Sequence, residues 1–259
     1  MSLFDLTDKV ALITGSSRGI GKAIAMQMAA HGARVVISSR KAESCAAAAA
    51  EIMAAGGAAL AHACNVSHKP ELQGLVDATL AQWGRIDILV CDAGANPYFG
   101  PAAKMPDEAF DKILQTNLHS VLWLCNMVLP AMAGRKDGAV IIVSSVAGFS
   151  GSAFLGAYGI SKAADMQLAR NLAVEWGPHN IRVNCIAPGV IRTHFSRMLW
   201  ADPNRAAAFA RAAPLRRLGD PDDVAGVAVM LASRAGGFIT GQTLVVDGGG
   251  LIGGGEAPL

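Results

Sequence analysis

Short apolar runs and segments with helical apolar spacing alternate along the chain, and this alternation limits the possible folds more than any other feature. Val10–Thr14 (VALIT) is an unbroken apolar run, as expected of a parallel strand covered on both faces. Ile20–Ala30 follows with apolar residues at helical spacing and stops at His31-Gly32, a C-terminal helix signal. Further strands are expected over Val35–Ser38, Ala59–Cys64, Ile86–Cys91, Ala139–Ser144, Ile181–Ala187 and Thr243–Val246. Helices fit over Glu43–Ala55, Pro70–Trp83, Asp107–Met132, Tyr158–Trp176 and Pro221–Ala232. Strands alternating with helices in this way predict an α/β fold, a doubly wound seven-stranded parallel sheet with helices on both faces. No internal repeat or linker interrupts the pattern, so residues 1–259 read as a single domain. Two segments stand outside it: Gly189–Arg217, between the sixth strand and the last helix, and the Gly-rich Gly248–Leu259.

Composition narrows the function. Apolar residues make up 52% of the chain and charged residues 16%, which excludes a disordered protein. A net charge of +2 leaves no footprint for nucleic acid or a membrane surface. The longest apolar stretch, Val121 to Ala133, is broken by Asn126 and Pro130 and is too short to span a bilayer. The first residues carry acids ahead of any apolar run and no basic stretch, so no signal peptide is expected. Cys45, Cys64, Cys91, Cys125 and Cys185 are odd in number and form no Cys-x-x-Cys pair, so they read as reduced core thiols of a cytosolic protein. His31, His62, His68, His119, His179 and His194 are scattered, and no metal-ligand spacing is visible.

Thr14-Gly15-Ser16-Ser17-Arg18-Gly19-Ile20-Gly21 joins the first strand to the first helix. Its glycines allow a tight turn and close backbone approach, and the helix N-terminus offers free N–H groups to a pyrophosphate. The spacing is G-x-x-x-G-x-G rather than the general G-x-G-x-x-G. An ordinary Gly-rich turn would look similar, but the place between first strand and first helix favours a dinucleotide. At the end of the second strand, where an acid would hold a ribose 2′-hydroxyl, the sequence reads Ile37-Ser38-Ser39-Arg40-Lys41. Arg40, Lys41 and Arg18, with the Ser38 or Ser39 hydroxyl, suit a 2′-phosphate instead. NADP(H) is therefore favoured over NAD(H), which stays open; the alternative is that Arg40 and Lys41 are solvated surface charges.

Tyr158 and Lys162 open a long amphipathic helix four residues apart, on one face. A phenol titrates near pH 10, and a nearby ammonium lowers that value into a useful range. Ser144-Ser145 ends the fifth strand, at the carboxyl edge where open α/β sheets bind ligands. Asn117 sits within the preceding long helix, where a buried amide could hold a water linking Lys162 to solvent. Each also has a plainer reading, Ser145 as a helix cap and Asn117 as a satisfied core amide.

With these residues in place the sequence resembles the short-chain dehydrogenase/reductase family over essentially its whole length. The resemblance rests on TGSSRGIG, Asn117, Ser145 thirteen positions before Tyr158, YGISK, Pro188-Gly189 with Thr193, and Asp247-Gly248-Gly249, in the family's order and spacing. It implies a Rossmann-type fold and a catalytic tetrad. Tyr158 would be the acid–base, Lys162 would lower its pKa and bind the nicotinamide ribose, Ser145 would bond the substrate oxygen, and Asn117 would complete a water relay. It also implies cofactor contacts at Gly15, Ser17, Arg18, Gly19, Ile20, Gly21, Asn65, Val66, Ala93 and Gly94, with Pro188, Gly189, Ile191 and Thr193 at the carboxamide. Two positions depart from the pattern: Cys91-Asp92 replaces the usual Asn-Asn, and Asn65 replaces an adenine-contacting Asp.

Within the family, ISSRK, GANPYFG, IRVNCIAPGVIRTHFSRMLW and RRLG resemble NADP-dependent carbonyl (retinal and dicarbonyl) reductases of animal peroxisomes and their bacterial relatives. Glu256-Ala257-Pro258-Leu259 is not a Ser-Lys-Leu-type peroxisomal ending, so the cytoplasm is the expected compartment. Residues 189–217 would form a lid carrying Phe195, Met198, Leu199 and Trp200. Tyr98, Phe99, Phe149, Phe154 and Leu155 would face the same cleft, unless they pack an interface. An apolar wall suits hydrophobic ketones and aldehydes. A 3-oxoacyl-thioester reductase is the near alternative, carried by Arg192, Arg197, Arg205, Arg211, Arg216 and Arg217 as a possible patch for an acidic carrier. Enoyl reductases of the family space Tyr and Lys by six intervening residues rather than three. A non-catalytic NADP-binding sensor is the alternative of another class, and the intact tetrad argues against it. The family also implies a homotetramer packed through the long helices and the last strand.

Overall fold

The computed structural model describes residues 2–253. Seven parallel strands form one sheet in the order β3-β2-β1-β4-β5-β6-β7. They are β1 (Val10–Thr14), β2 (Arg34–Ser39), β3 (Ala58–Ala63), β4 (Ile88–Cys91), β5 (Gly138–Val143), β6 (Ile181–Pro188) and β7 (Thr243–Val246). Each falls within two residues of the run read from sequence. Ala11 pairs with Val35 of β2 on one side and Ile88 of β4 on the other. The strand order therefore reverses at β1, which opens a crevice beyond the carboxyl ends of β1 and β4.

Successive strand residues point to opposite faces, and two cores result. Leu12, Val36, Leu89, Val140 and Val183 face one layer of helices, α3 (Lys69–Trp83), α5 (Ser120–Arg135) and α6 (Gly156–Trp176). Ala11, Ile13, Val35, Ile37, Val90 and Ile141 face the other, α1 (Gly19–Ala30), α2 (Ala42–Ala54) and α9 (Pro221–Ala232). The start of α9 is fixed by Pro221 at its first turn and by a reciprocal capping box between Asp220 and Asp223.

Two expectations need correction. The single helix expected over Asp107–Met132 is α4 (Asp107–Leu114), a π turn over Gln115–His119, and α5, which runs on to Arg135. In the π turn Ser120 N–H reaches back to Gln115 O, and the extra residue brings Thr116 and Asn117 into the interior. The segment 189–217 contains two helices that the sequence reading left out, α7 (Arg197–Trp200) and α8 (Pro203–Ala212). Asp202 caps α8 by accepting from Arg205 N–H at 2.8 Å, with Pro203 in the first turn. The end of the Gly-rich tail, including 256–259, lies outside the described residues. Among the described residues no helix is long and apolar enough to cross a membrane.

Candidate active site

The Gly-rich turn leaves β1 at the crevice. Gly15 and Gly19 take φ of +74° and +61°, a region that favours glycine. A Cβ at Gly15 would lie 2.9 Å from Ala93 N, so the turn and the residues after β4 approach more closely than any side chain would allow. Ser16 pins the turn: its Oγ donates to Ile13 O at 2.6 Å and accepts from Ser38 N at 2.8 Å. Arg18 is the N-terminal boundary residue of α1, yet its side chain makes no cap, and the first turn carries no acid. The N–H groups there face the crevice with a positive helix end behind them. A turn that lacks Cβ atoms at Gly15 and Gly19, over an uncapped helix start, fits a pyrophosphate, so Gly15, Ser17, Arg18, Gly19 and Ile20 can hold one.

Asp92 gives this loop a feature of its own. Its carboxyl accepts a hydrogen bond from Gly21 N–H, and burial pushes its pKa up to about 7 against the opposing pull of Lys162. A Cβ at Gly21 would stand 2.6 Å from Asp92 Oδ2, so this contact requires glycine. The link between β1 and the segment after β4 is made by Thr14, whose Oγ1 accepts from Asp92 N and Ala93 N, both at 3.3 Å.

At the end of β2, Arg40 and Lys41 are exposed, as is Arg18, and none of the three has an ion-pair partner among the described residues. No acid stands between Ser38 and Lys41. The Ser39 hydroxyl is engaged with Cys45 Sγ at 3.2 Å, and Ser38 Oγ is buried without a partner. After β3, Asn65 Oδ1 accepts from Ser67 N–H at 3.2 Å, and Val66 is buried against the core. Gly94 lies beside Asn117. Beyond β6, Gly189 packs on Asp247, where a Cβ would come within 2.7 Å of Asp247 Cβ. Ile191 is buried and bridges to Gly219, which anchors the base of segment 189–217. Thr193 crosses the mouth of the crevice, its Cγ2 3.4 Å from the position of a Cβ on Gly19.

Close helix–turn packing brings Ser145 and Tyr158 together. Ser145 lies two residues beyond β5 and opens a short 3-10 turn over Val146–Gly148. Cβ atoms at Gly148 and Gly159 would sit 2.8 Å from Ala163 N and Ala147 O respectively, so α6 and this turn touch through glycine. Ser144 Oγ donates to Lys162 O at 2.7 Å and ties the end of β5 to α6. Ser145 Oγ accepts from Ala147 N at 3.2 Å and lies on the Tyr158 hydroxyl side of the cluster, near enough to act on the phenol. The serine is thus a cap and a member of the site at once. Lys162 is buried, with Nζ 5.8 Å from the Tyr158 ring centre and donating to Val143 O at 2.9 Å. Burial holds the Tyr158 phenol above its usual range, while Lys162 and Ser145 pull it down.

Asn117 is committed to structure through its side chain. Its Oδ1 accepts from Ala95 N at 2.8 Å, and its Nδ2 donates to Ala95 O at 3.1 Å and to Ser161 Oγ at 3.0 Å. Ser161 Oγ donates in turn to Tyr158 O at 2.8 Å. The amide therefore fixes the residues after β4 against the start of α6, with both Nδ2 hydrogens engaged and one lone pair of Oδ1 still open. The sequence reading missed Ser161 and Asp165; Asp165 is fully buried with Oδ2 3.0 Å from Lys162 Nζ. The visible sign was a carboxylate three residues beyond Lys162 on an otherwise apolar helix face.

Aromatic side chains frame the opening. Phe195 stands 6.1 Å from the Tyr158 ring, and Phe99 stacks on Phe154 at 5.5 Å. Phe195, Met198, Phe99, Phe149 and Phe154 are all exposed. Of the arginines in 189–217, Arg217 is neutralised by Asp223 at 2.6 Å, while Arg205 and Arg216 bond the carbonyls of Met198 and Arg211.

A dinucleotide cradle over the switch point of a parallel sheet, beside a Ser–Tyr–Lys cluster, defines a nicotinamide-dependent oxidoreductase class, and comparison with known proteins agrees. A family model described as "Enoyl-(Acyl carrier protein) reductase" matches residues 15–250. Human dehydrogenase/reductase SDR family member 4 is 43% identical over 244 residues, covering 94% of this chain and 88% of that protein. Human dehydrogenase/reductase SDR family member 2, mitochondrial, is 39% identical over 243 residues, covering 94% and 86%. Among solved structures, a 7α-hydroxysteroid dehydrogenase complexed with NADH and 7-oxo glycochenodeoxycholic acid has a TM-score of 0.92 at 37% identity, covering 96% of each chain. A putative gluconate dehydrogenase from Agrobacterium tumefaciens has a TM-score of 0.93 at 31% identity, covering 97% and 99%. The chain belongs to the short-chain dehydrogenase/reductase family, whose members bind a nicotinamide cofactor.

Proposed function

We propose that this protein is an NADP(H)-dependent carbonyl reductase, reversible as an alcohol dehydrogenase, acting on hydrophobic ketones or aldehydes. The observation that carries the reading is the Ser145–Tyr158–Lys162 cluster, with the Lys162 ammonium beside the phenol ring and both Lys162 and Ser145 favouring the phenolate. Bound in the crevice, the cofactor supplies or accepts the hydride. Ser145 orients the substrate oxygen, and the Tyr158 hydroxyl gives that oxygen its proton in reduction and takes it back in oxidation. Lys162 stabilises the phenolate left behind and holds the nicotinamide ribose. Asn117 acts by fixing α6 and the π turn, and a water relay would run through backbone carbonyls of that turn. Ala93, Gly94, Pro188, Gly189, Ile191 and Thr193 line the nicotinamide end, and Asn65 and Val66 the adenine end.

The absent acid after β2 and the unpaired Arg18, Arg40 and Lys41 support NADP(H) over NAD(H). The exposed Phe195, Met198, Phe149, Phe99 and Phe154 support an apolar substrate under a lid formed by 189–217. A 3-oxoacyl thioester remains the second reading, favoured by Arg192 and Arg197, which have no acidic partner among the described residues. We further propose a cytoplasmic single-domain subunit, which the five free buried cysteines fit, assembled as a homotetramer. Val174 of α6, Leu122 of α5 and Val245 of β7 are exposed apolar residues on the elements expected to pack. Light scattering that finds a monomer at micromolar concentration would overturn the tetramer. The functional test is oxidation of NADPH and NADH against aromatic ketones, α-dicarbonyls, retinal-like aldehydes and a 3-oxoacyl thioester. Turnover of NADPH with the simple carbonyls is expected; turnover confined to the thioester would transfer the protein to the second reading.

A further inference from the structure

Asp165 is the buried charge that the mechanism above does not use. It lies one turn beyond Lys162 on α6, is 0% exposed, and accepts from Lys162 Nζ through Oδ2 at 3.0 Å. Its other oxygen, Oδ1, is buried with no hydrogen-bond partner. The rest of that helix face, Met166, Ala169, Leu172 and Ala173, is buried and apolar. Packing alone does not call for a carboxylate there, since a buried ion pair is commonly no more stable than an apolar pair of similar volume. The groups facing the carboxylate are Lys162 and Tyr158 on its own helix, Cys91 at the end of β4 and Cys185 on β6; Cys125 on α5 stands behind Cys91, and Asp92 acts on Lys162 and Tyr158. Burial pushes the Cys185 thiol up to about 12, and the hydrogen bond with Cys125 together with burial holds the Cys91 thiol well above its usual value, so Lys162 is the counter-charge.

The geometry is that of a tether. Lys162 Nζ is held from the sheet side by Val143 O at 2.9 Å and from along the helix by Asp165, which fixes it against the Tyr158 ring. We propose that Asp165 is a positioning residue: its carboxylate holds Lys162 in place and offsets part of the ammonium charge felt by Tyr158, favouring the phenol over the phenolate. A phenol is the form that gives a proton to a carbonyl oxygen, so Asp165 biases the site toward reduction and leaves alcohol oxidation to alkaline pH. Independent support is the direction in which Asp165 moves the Tyr158 phenol, which is upward, against Lys162. The inference rests on Tyr158 and Lys162 being the acid–base pair.

The chain has two tyrosines, so in a Tyr98→Phe background the ultraviolet absorbance of phenolate reports Tyr158 alone. Asp165→Asn is expected to lower the midpoint of that titration by at least about one pH unit, as removal of a close negative charge requires. Asp165→Glu, which keeps the charge, should stay within a few tenths of a unit of the parent. If the Asn variant does not fold, Asp165→Leu, suited to the apolar face, takes its place. A folded Asn or Leu variant with an unmoved midpoint overturns the role of Asp165, provided Lys162→Met raises the midpoint. A midpoint unmoved by Lys162→Met would instead remove the pair itself and the inference with it.

Discussion

Asp92→Asn isolates one carboxyl and predicts a stability change with a defined dependence on pH. In the folded protein burial lifts Asp92 to about 7 from a usual 3.8. The folded state therefore holds this proton more tightly than the unfolded chain. The stability this lends is fully present below the unfolded value and is lost as pH rises through the folded one. Linkage over the whole window amounts to about 4 kcal/mol, of which about 2.5 kcal/mol falls between pH 5 and pH 8. Asn does not titrate and still offers Gly21 N–H an oxygen. Any fixed cost or gain of the substitution is the same at both pH values, so the change in the gap measures Asp92. In thermal unfolding at fixed protein concentration, the Asn variant should gain on the wild type by roughly 5–10 °C between pH 5 and pH 8, at about 2–4 °C per kcal/mol. A gap that stays constant, or shrinks, across that range would refute the burial argument.

Three further outcomes follow from the same geometry. Gly15→Ala places a methyl 2.9 Å from Ala93 N at φ +74°, and should weaken NADPH binding at least about tenfold by fluorescence titration, since glycine alone adopts this conformation without strain. Arg40→Asp should move the ratio of kcat/KM for NADPH over NADH toward NADH by at least about tenfold, because a carboxylate repels a 2′-phosphate and accepts from a 2′-hydroxyl. Phe195→Ala, which opens the space beside Tyr158, should raise KM for bulky aromatic ketones several-fold while leaving small ketones little changed, through lost apolar contact of about 1 kcal/mol.

The sheet was legible because each strand is a doubly covered apolar run punctuated by glycine or a helix cap, and both signals are local. The Gly-rich loop and the Ser145–Tyr158–Lys162 cluster were legible as a candidate site because their residue types and spacing point to this chemistry. Other features depended on what the chain folds against. The pattern over Asp107–Met132 continues through its π turn, since one extra residue does not break a helical periodicity, yet that residue brings Asn117 inside. Helices α7 and α8 carry no fully buried residue, so they lack the apolar stripe by which a helix is recognised, although Asp202-Pro203 was a readable start signal. The pairing of Ser39 with Cys45, and the Asp92 contact with Gly21, join residues separated by loops or by whole strands. Asp165 stood in plain view as a charge on an apolar face, but its meaning required knowing that Lys162 turns inward.

The central claim is that Tyr158 carries the proton for hydride chemistry in this crevice. The most direct measurement compares wild type and Tyr158→Phe for NADPH oxidation with an apolar ketone, alongside NADPH binding by fluorescence. The account predicts turnover lower by about 10²–10⁴-fold in the variant, the usual contribution of a general acid, with binding changed no more than a few-fold. Turnover equal to that of the wild type, with the cofactor still bound, would contradict it.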